Sequence, residues 1–183
     1  MALALSGTSN GSLNNLSLSG NTATIVDTAR AGGIVQVVTA TTSTSVAVST
    51  TTYTDTGLSA SITPSSSSNK ILVMVNQMGN AGSTSRPIGF GIQLLRDSTI
   101  ILYSAQDGTG PFEQFVNVSS STNTNIITRA TINFLDSPST TSSVTYKTQG
   151  RPYTTANSGA VTFNQASSPY NATSTIILME VVA

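Results

Sequence analysis

Cysteine, histidine and tryptophan are absent from this sequence, and charge is scarce. Without cysteine there is no disulfide framework, no thiol nucleophile and no thiolate metal site. Without histidine the commonest general base and the commonest metal ligand are missing. No serine can then be activated by an imidazole. The seven basic residues are Arg30, Lys70, Arg86, Arg96, Arg129, Lys147 and Arg151, and the seven acidic ones are Asp27, Asp55, Asp97, Asp107, Glu113, Asp136 and Glu180. They are scattered, with no run of either sign. Nucleic acid is not an expected partner, because such binders carry a basic patch or stripe. No apolar run approaches the ~20 residues of a membrane helix, so membrane insertion is not expected. Met1-Ala2-Leu3-Ala4-Leu5-Ser6 has no basic n-region and too short an apolar run for a signal peptide, so synthesis in a cytoplasm is expected.

What fills the sequence instead is hydroxyl. Serine and threonine make up nearly a third of its 183 residues. Such a surface stays soluble through hydroxyls rather than ions, and its contacts depend little on salt. The length suits one domain with a short appendage.

Residues 1–32 differ from the remainder. Leu3, Leu5, Leu13, Leu16 and Leu18 sit among Gly, Ser, Asn and Thr, and Gly7, Gly11 and Gly20 break any strand early. This segment reads as an arm that docks on its own copies or on a larger assembly. A frayed terminus is the alternative. Residues 33–183 read as the globular unit.

Within that unit the pattern is strand and turn throughout. From Asn125 to Leu135, Thr128, Ala130, Ile132 and Phe134 alternate with Arg129, Thr131, Asn133 and Leu135, the period of a half-buried strand. Asp136 to Thr140 is turn-forming, and Val144 and Tyr146 resume one face, so Asn125 to Gln149 reads as a hairpin. Ile34 to Thr39, Ser43 to Ser49 and Tyr53 to Thr63 read as earlier strands. Lys70 to Gln77 is apolar on both faces, which suits a strand covered on both sides. Gly79 to Ser85 reads as a polar loop. Pro87 to Arg96 and Thr99 to Ser104 form a second hairpin about Asp97-Ser98, and Gly150 to Gly159 reads as a long loop. Brief strands fit Phe112 to Val118 and Val161 to Asn164.

The last strand, Ser174 to Val182, has two apolar faces. Ile176, Leu178, Glu180 and Val182 share one; Ile177, Met179 and Val181 share the other. The second face needs a cover, which is either a symmetric neighbour or packing on both sides within one domain. Glu180 should not sit unpaired among such residues, so an Arg partner or an open sheet end is expected beside it. Eight to ten strands without helical periodicity predict an all-β sandwich or jelly roll.

Candidate chemistry is thin. Asp107-Gly-Thr-Gly reads as a plain turn rather than a cation site, since only one carboxylate is local. Asp97, Asp107 and Glu113 are not brought by any pattern to the ~5–9 Å spacing of glycosidase carboxylates. No catalytic residue, metal site or cofactor is expected. Aromatic side chains in or beside loops (Tyr103, Phe112, Phe115, Tyr153, Tyr170) suit loop anchoring or recognition, and Arg151, Tyr153 and Asn157 mark the preferred contact loop.

The stretches GGIVQVV, SITPSSSSNKILVMV, LLRDST, INFLDSPSTTSSVTYK and STIILMEV, taken together, resemble small virion proteins of tailed bacteriophages, notably those of cyanobacteria and other aquatic hosts. The likeness runs from about Gly32 to Ala183. It implies a jelly-roll-like antiparallel β-sandwich, similar to tumour-necrosis-factor-like modules, that forms a homotrimer in the virion, with Ile177, Met179 and Val181 in the trimer interface. Longer members carry an extended N-terminal region that is absent here. The resemblance therefore implies either a tail-fibre, receptor-binding module that contacts a host surface glycan or protein, or a capsid decoration protein. In both readings the N-terminal arm docks on another virion protein. A glycan depolymerase is a distant third.

Overall fold

A computed structural model describes residues 31–82, 88–102, 115–118, 126–153, 159–167 and 170–183. The strands, in chain order, begin with β1 (Ile34–Thr42), β2 (Val46–Val48), β3 (Thr54–Ile62), β4 (Lys70–Gly82), β5 (Ile88–Arg96) and β6 (Thr99–Leu102). They continue with β7 (Phe115–Val118), β8 (Ile126–Asp136), β9 (Val144–Pro152), β10 (Ala160–Phe163), β11 (Gln165–Ser167), β12 (Tyr170–Asn171) and β13 (Ser174–Val181). The protein is an all-β sandwich of two antiparallel sheets. One sheet runs β1-β13-β4-β10-β2, with β8 on the other edge of β4. The second runs β3-β9-β5-β6, with β7 also on β5, and β11 and β12 form a separate small pair.

Alternation along each strand builds the core. Ile71, Val73 and Val75 of β4, Ala130 and Ile132 of β8, and Ile176 and Leu178 of β13 face inward from the first sheet. Leu58, Ala60 and Ile62 of β3, Phe90, Ile92 and Leu94 of β5, and Val144 and Tyr146 of β9 meet them from the second.

Two strands pack on the same core without pairing with each other. β8 bonds β4, whereas β9 bonds β3 and β5. The expected hairpin from Asn125 to Gln149 is therefore a crossover between the sheets. Alternation marks which face of a strand is buried but not which wall of the sandwich it belongs to. The crossover is pinned by Asp136, whose Oδ2 accepts from the Tyr146 hydroxyl and from Arg96 Nη1, both at 2.7 Å. Burial and the bond to Asp136 push the Tyr146 hydroxyl well above its ordinary pKa. The second expected hairpin is present: Arg96 pairs with Thr99 across a two-residue turn in which Asp97 has φ 53°. Asp97 also exchanges bonds with the Thr145 backbone, so it is a turn residue tied to β9.

The expected loops from Gly79 to Ser85 and from Gly150 to Gly159 begin as strand instead, in residues 79–82 of β4 and 150–152 of β9, for one shared reason; residues 83–85 and 154–158 lie outside the described residues. Phe90 of β5 lies over Gly79 of β4, where a Cβ would meet the ring at 2.5 Å. Phe163 of β10 lies over Gly150 of β9 in the same manner. The two rings meet edge to face, with centroids 5.4 Å apart and planes at 88°. Each sheet thus leaves a gap for the aromatic ring of the other. The glycines are there for closeness of approach, not for a turn.

Beside the rings lies a fully buried polar cluster: Thr56, Gln77, Thr148, Asn164 and Ser174. Gln77 Oε1 accepts from Thr148 Oγ1 at 2.9 Å, and Gln77 Nε2 donates to Asn164 Oδ1 at 2.9 Å and Ser174 Oγ at 3.0 Å. Asn164 Nδ2 donates to the carbonyls of Thr44 and Thr56, both at 2.8 Å. All five side chains find partners, as buried polar groups must.

Gly150→Ala is expected to lower stability by about 1–3 kcal/mol, because its methyl group overpacks against Phe163. Urea unfolding midpoints check this. Adding Phe163→Leu to the variant should recover part of the loss.

Candidate functional site

The outer face of the first sheet stands out. In an antiparallel sheet, directly paired residues share a face. The register places Val37, Met179, Leu72 and Leu135 in one outward row across β1, β13, β4 and β8. Thr39, Ile177, Met74 and Asn133 form the next row, and Thr41, Thr175, Asn76 and Thr131 the one after. The first row is wholly apolar, the second half apolar, and the third holds only hydroxyls and an amide.

Among the described residues nothing lies over these rows, and several of their side chains are exposed. Val37 is 53% exposed, Leu135 48% and Met74 36%. Ile34 and Val35, at the start of β1, are also exposed. A depression of about 400 Å³ lies on this face, lined by Met74, Val75, Asn76, Thr131, Asn133, Thr175 and Ile177. Arg129, on the same face of β8, donates to Asn76 Oδ1 at 3.1 Å and to the Thr173 carbonyl at 3.2 Å. The three rows contain no ionisable side chain. A contiguous exposed apolar patch on a folded domain marks an interaction surface.

Ile177, Met179 and Val181 lie on this face and are half-buried by their neighbours within the sheet. The expectation that Lys70 to Gln77 is covered on both sides is corrected. Ile71, Val73 and Val75 are buried, but Leu72 is only half-covered and Met74 is exposed. Nothing in the domain lies over them among the described residues. A doubly apolar strand signals that both faces require cover, without saying that the same chain supplies it. Val37, Leu72, Met74 and Leu135 were missed as members of this surface. Their signal was present in the alternation of their own strands, but the common row is visible only from the register.

Behind the face, Glu180 is fully buried at the inward end of β13. Of the two surroundings expected for it, an Arg partner is not there, and although Glu180 lies next to the end of β13 that end is not open to solvent, so this too is corrected. Its Oε2 accepts from Gln36 Nε2 at 2.6 Å, and its Oε1 accepts from Ser65 N, Ser65 Oγ and Asn69 Nδ2, each at 2.7 Å. Burial raises its pKa. The bonds from Asn69, Gln36 and Ser65 outweigh this and bring the pKa down from 4.5 to about 2. A buried carboxylate can be held by neutral donors alone when enough of them converge.

The other sequence-stated positions lie elsewhere. Arg151 is at the end of β9, on the second sheet; its Nη1 donates to the Thr51 carbonyl at 3.3 Å, and its guanidinium stands 5.0 Å from the Tyr53 ring centroid. Tyr153 follows it, with its backbone N–H on the Gly89 carbonyl at 2.8 Å. Asn157, the arm leucines Leu3, Leu5, Leu13, Leu16 and Leu18, and the acidic Asp107 and Glu113 lie outside the described residues. Among the described residues no cluster of three or more Asp or Glu is placed to hold a metal ion.

No protein-family model matches the chain, nor does any curated protein. Among solved structures it is similar to a chain of the T13 IBDV viral particle, with TM-score 0.39 and 12% identity over 81% of this chain and 36% of that one. The VP2 subviral particle of infectious bursal disease virus gives TM-score 0.35 and 12% identity over 81% of this chain and 38% of that one. The Gt strain of the same virus gives 0.35 and 10% over 92% and 42%. The chain thus spans well under half the length of these structures, and the site is read from its own geometry.

The depressed pKa has a direct consequence. Glu180 contributes stability that is fully present above its unfolded value of 4.5 and is lost as pH falls toward about 2. The expected loss is about 3 kcal/mol. Unfolding free energy measured across that window should show it, and Glu180→Gln should flatten the profile there.

Proposed function

We propose that this protein is a structural component of a virus particle and acts by binding rather than by catalysis. Its working form is a homotrimer in which the outer face of the first sheet, with Ile177, Met179 and Val181 beside Val37, Leu72 and Leu135, meets neighbouring copies. The observation that carries this reading is the row Val37–Met179–Leu72–Leu135, apolar across four strands and without cover among the described residues. The three rows carry no charge, with Lys70 and Arg129 on the same face outside them, so a contact made by the rows with a copy brings no like charges together. The resemblance to tailed-phage virion proteins supports the same reading and suggests a tail-fibre, receptor-binding module, with the arm of residues 1–32 docked on another virion protein. A capsid decoration protein would use the same trimer, and particle copy number that follows the capsid rather than the tail would select it.

Sedimentation of the full chain is expected to give a mass near three times 18.8 kDa. Met179→Asp is expected to shift it toward the monomer, because a carboxylate buried in an apolar contact goes unpaired. A monomer for the unmodified chain at micromolar concentration would overturn the trimer.

A further inference from the structure

Inward-facing residues at one end of the sandwich form the row Gln36–Glu180–Ile71–Asp136 across β1, β13, β4 and β8. It holds two buried carboxylates separated by Ile71, about 10 Å apart by strand spacing. They are held in different ways. Asp136 has a cation, Arg96, at 2.7 Å, together with the Tyr146 hydroxyl. Glu180 has only neutral donors, and these come from separate pieces of chain: Gln36 from β1, and Ser65 and Asn69 from the segment between β3 and β4. Gln36 also donates to the Thr63 carbonyl at 2.7 Å, so β1, β13 and this segment meet at one carboxylate.

We propose that Glu180 is an acid-released latch: protonating it frees the 64–69 segment and the start of β1 while the rest of the sandwich stays closed. A protonated carboxyl has lost its charge and turns one oxygen into a donor. That donor faces other donors from Asn69, Ser65 and Gln36. The surrounding charges do not compensate. Neither β1 nor the 63–69 segment supplies a titratable side chain. Lys70 of β4 pairs with Val181 and so lies on the opposite, outward face, and Arg96 of β5 is engaged with Asp136 of β8 beside Tyr146 of β9. The rings of Phe90 and Phe163 and the cluster of Thr56, Gln77, Thr148, Asn164 and Ser174 contain no group that titrates in acid, so that part of the fold has no reason to open with Glu180. The latch lies on the inner side of the strand that carries Met179 and Val181, and its release would loosen the β1 border of the outer face.

The test is amide hydrogen exchange on the full chain between about pH 6 and about pH 2.5, with intrinsic rates factored out. Protection in 64–69 and 34–38 should fall at least about tenfold while that in 174–178 holds. At neutral pH, Glu180→Gln should reproduce the same local loss. If that variant fails to fold, Asn69→Ala removes one donor from outside the strands and should move the acid transition to higher pH. Uniform loss of protection, earlier loss in 174–178, or an unmoved transition in Asn69→Ala would each overturn the latch. The readout is local exchange, so it does not depend on whether the chain is a trimer.

Discussion

The contact on which the rest of the sandwich depends is the pair of crossed rings, Phe90 and Phe163, each seated on a glycine of the opposite sheet. Stacked sheets ordinarily lie ~10 Å apart. Here each ring is seated on backbone that has no side chain, so at these two points the space between the sheets is filled from one side. In the same core Gln77 of β4 accepts from Thr148 of β9, and Asn164 donates to the Thr56 carbonyl on β3. The polar cluster ties the two sheets together. It also gives the sandwich a specificity that an all-aliphatic core lacks, since its donors and acceptors match in only one arrangement of the sheets.

With the sheets fixed in this way, the molecule has three surfaces of different chemistry. The inner faces are filled. The outer face of the second sheet carries charge and amide, including the Lys147–Asp55 pair at 2.9 Å and the Gln149–Asp55 bond at 2.6 Å. The outer face of the first sheet carries aliphatic and methionine side chains and a hydroxyl row, with Lys70 and Arg129 beyond these rows. The two outer walls therefore differ: one carries ion pairs and amides, the other an exposed apolar row. The sparse charge of the chain also fits contacts that persist across salt conditions.

Burial within each strand was legible from alternation: Ala130 and Ile132, Leu58, Ala60 and Ile62, and Ile176 and Leu178 all face inward as their spacing indicates. So was the Asp97 turn, where short polar residues stop one strand and start the next. Three things were not legible. The segment from Asn125 to Gln149 has the local pattern of a hairpin, yet its halves join different sheets. Gly79 and Gly150 look like loop residues, because a missing side chain is as compatible with a bend as with a ring packed above. Glu180 gave notice that it required partners, but Gln36, Ser65 and Asn69 are 144, 115 and 111 positions away.

By itself the sequence determined the class of structure: extended strands, two faces each, no thiol or imidazole chemistry, and a terminal strand with more apolar surface than its own core requires. These are local properties, set by side-chain period and composition. Tertiary structure alone decided the pairing, and with it the outward rows on the first sheet, the seat of each aromatic ring and the donors around Glu180. Strand pairing is non-local, and a period of two residues is the same in either wall of a sandwich.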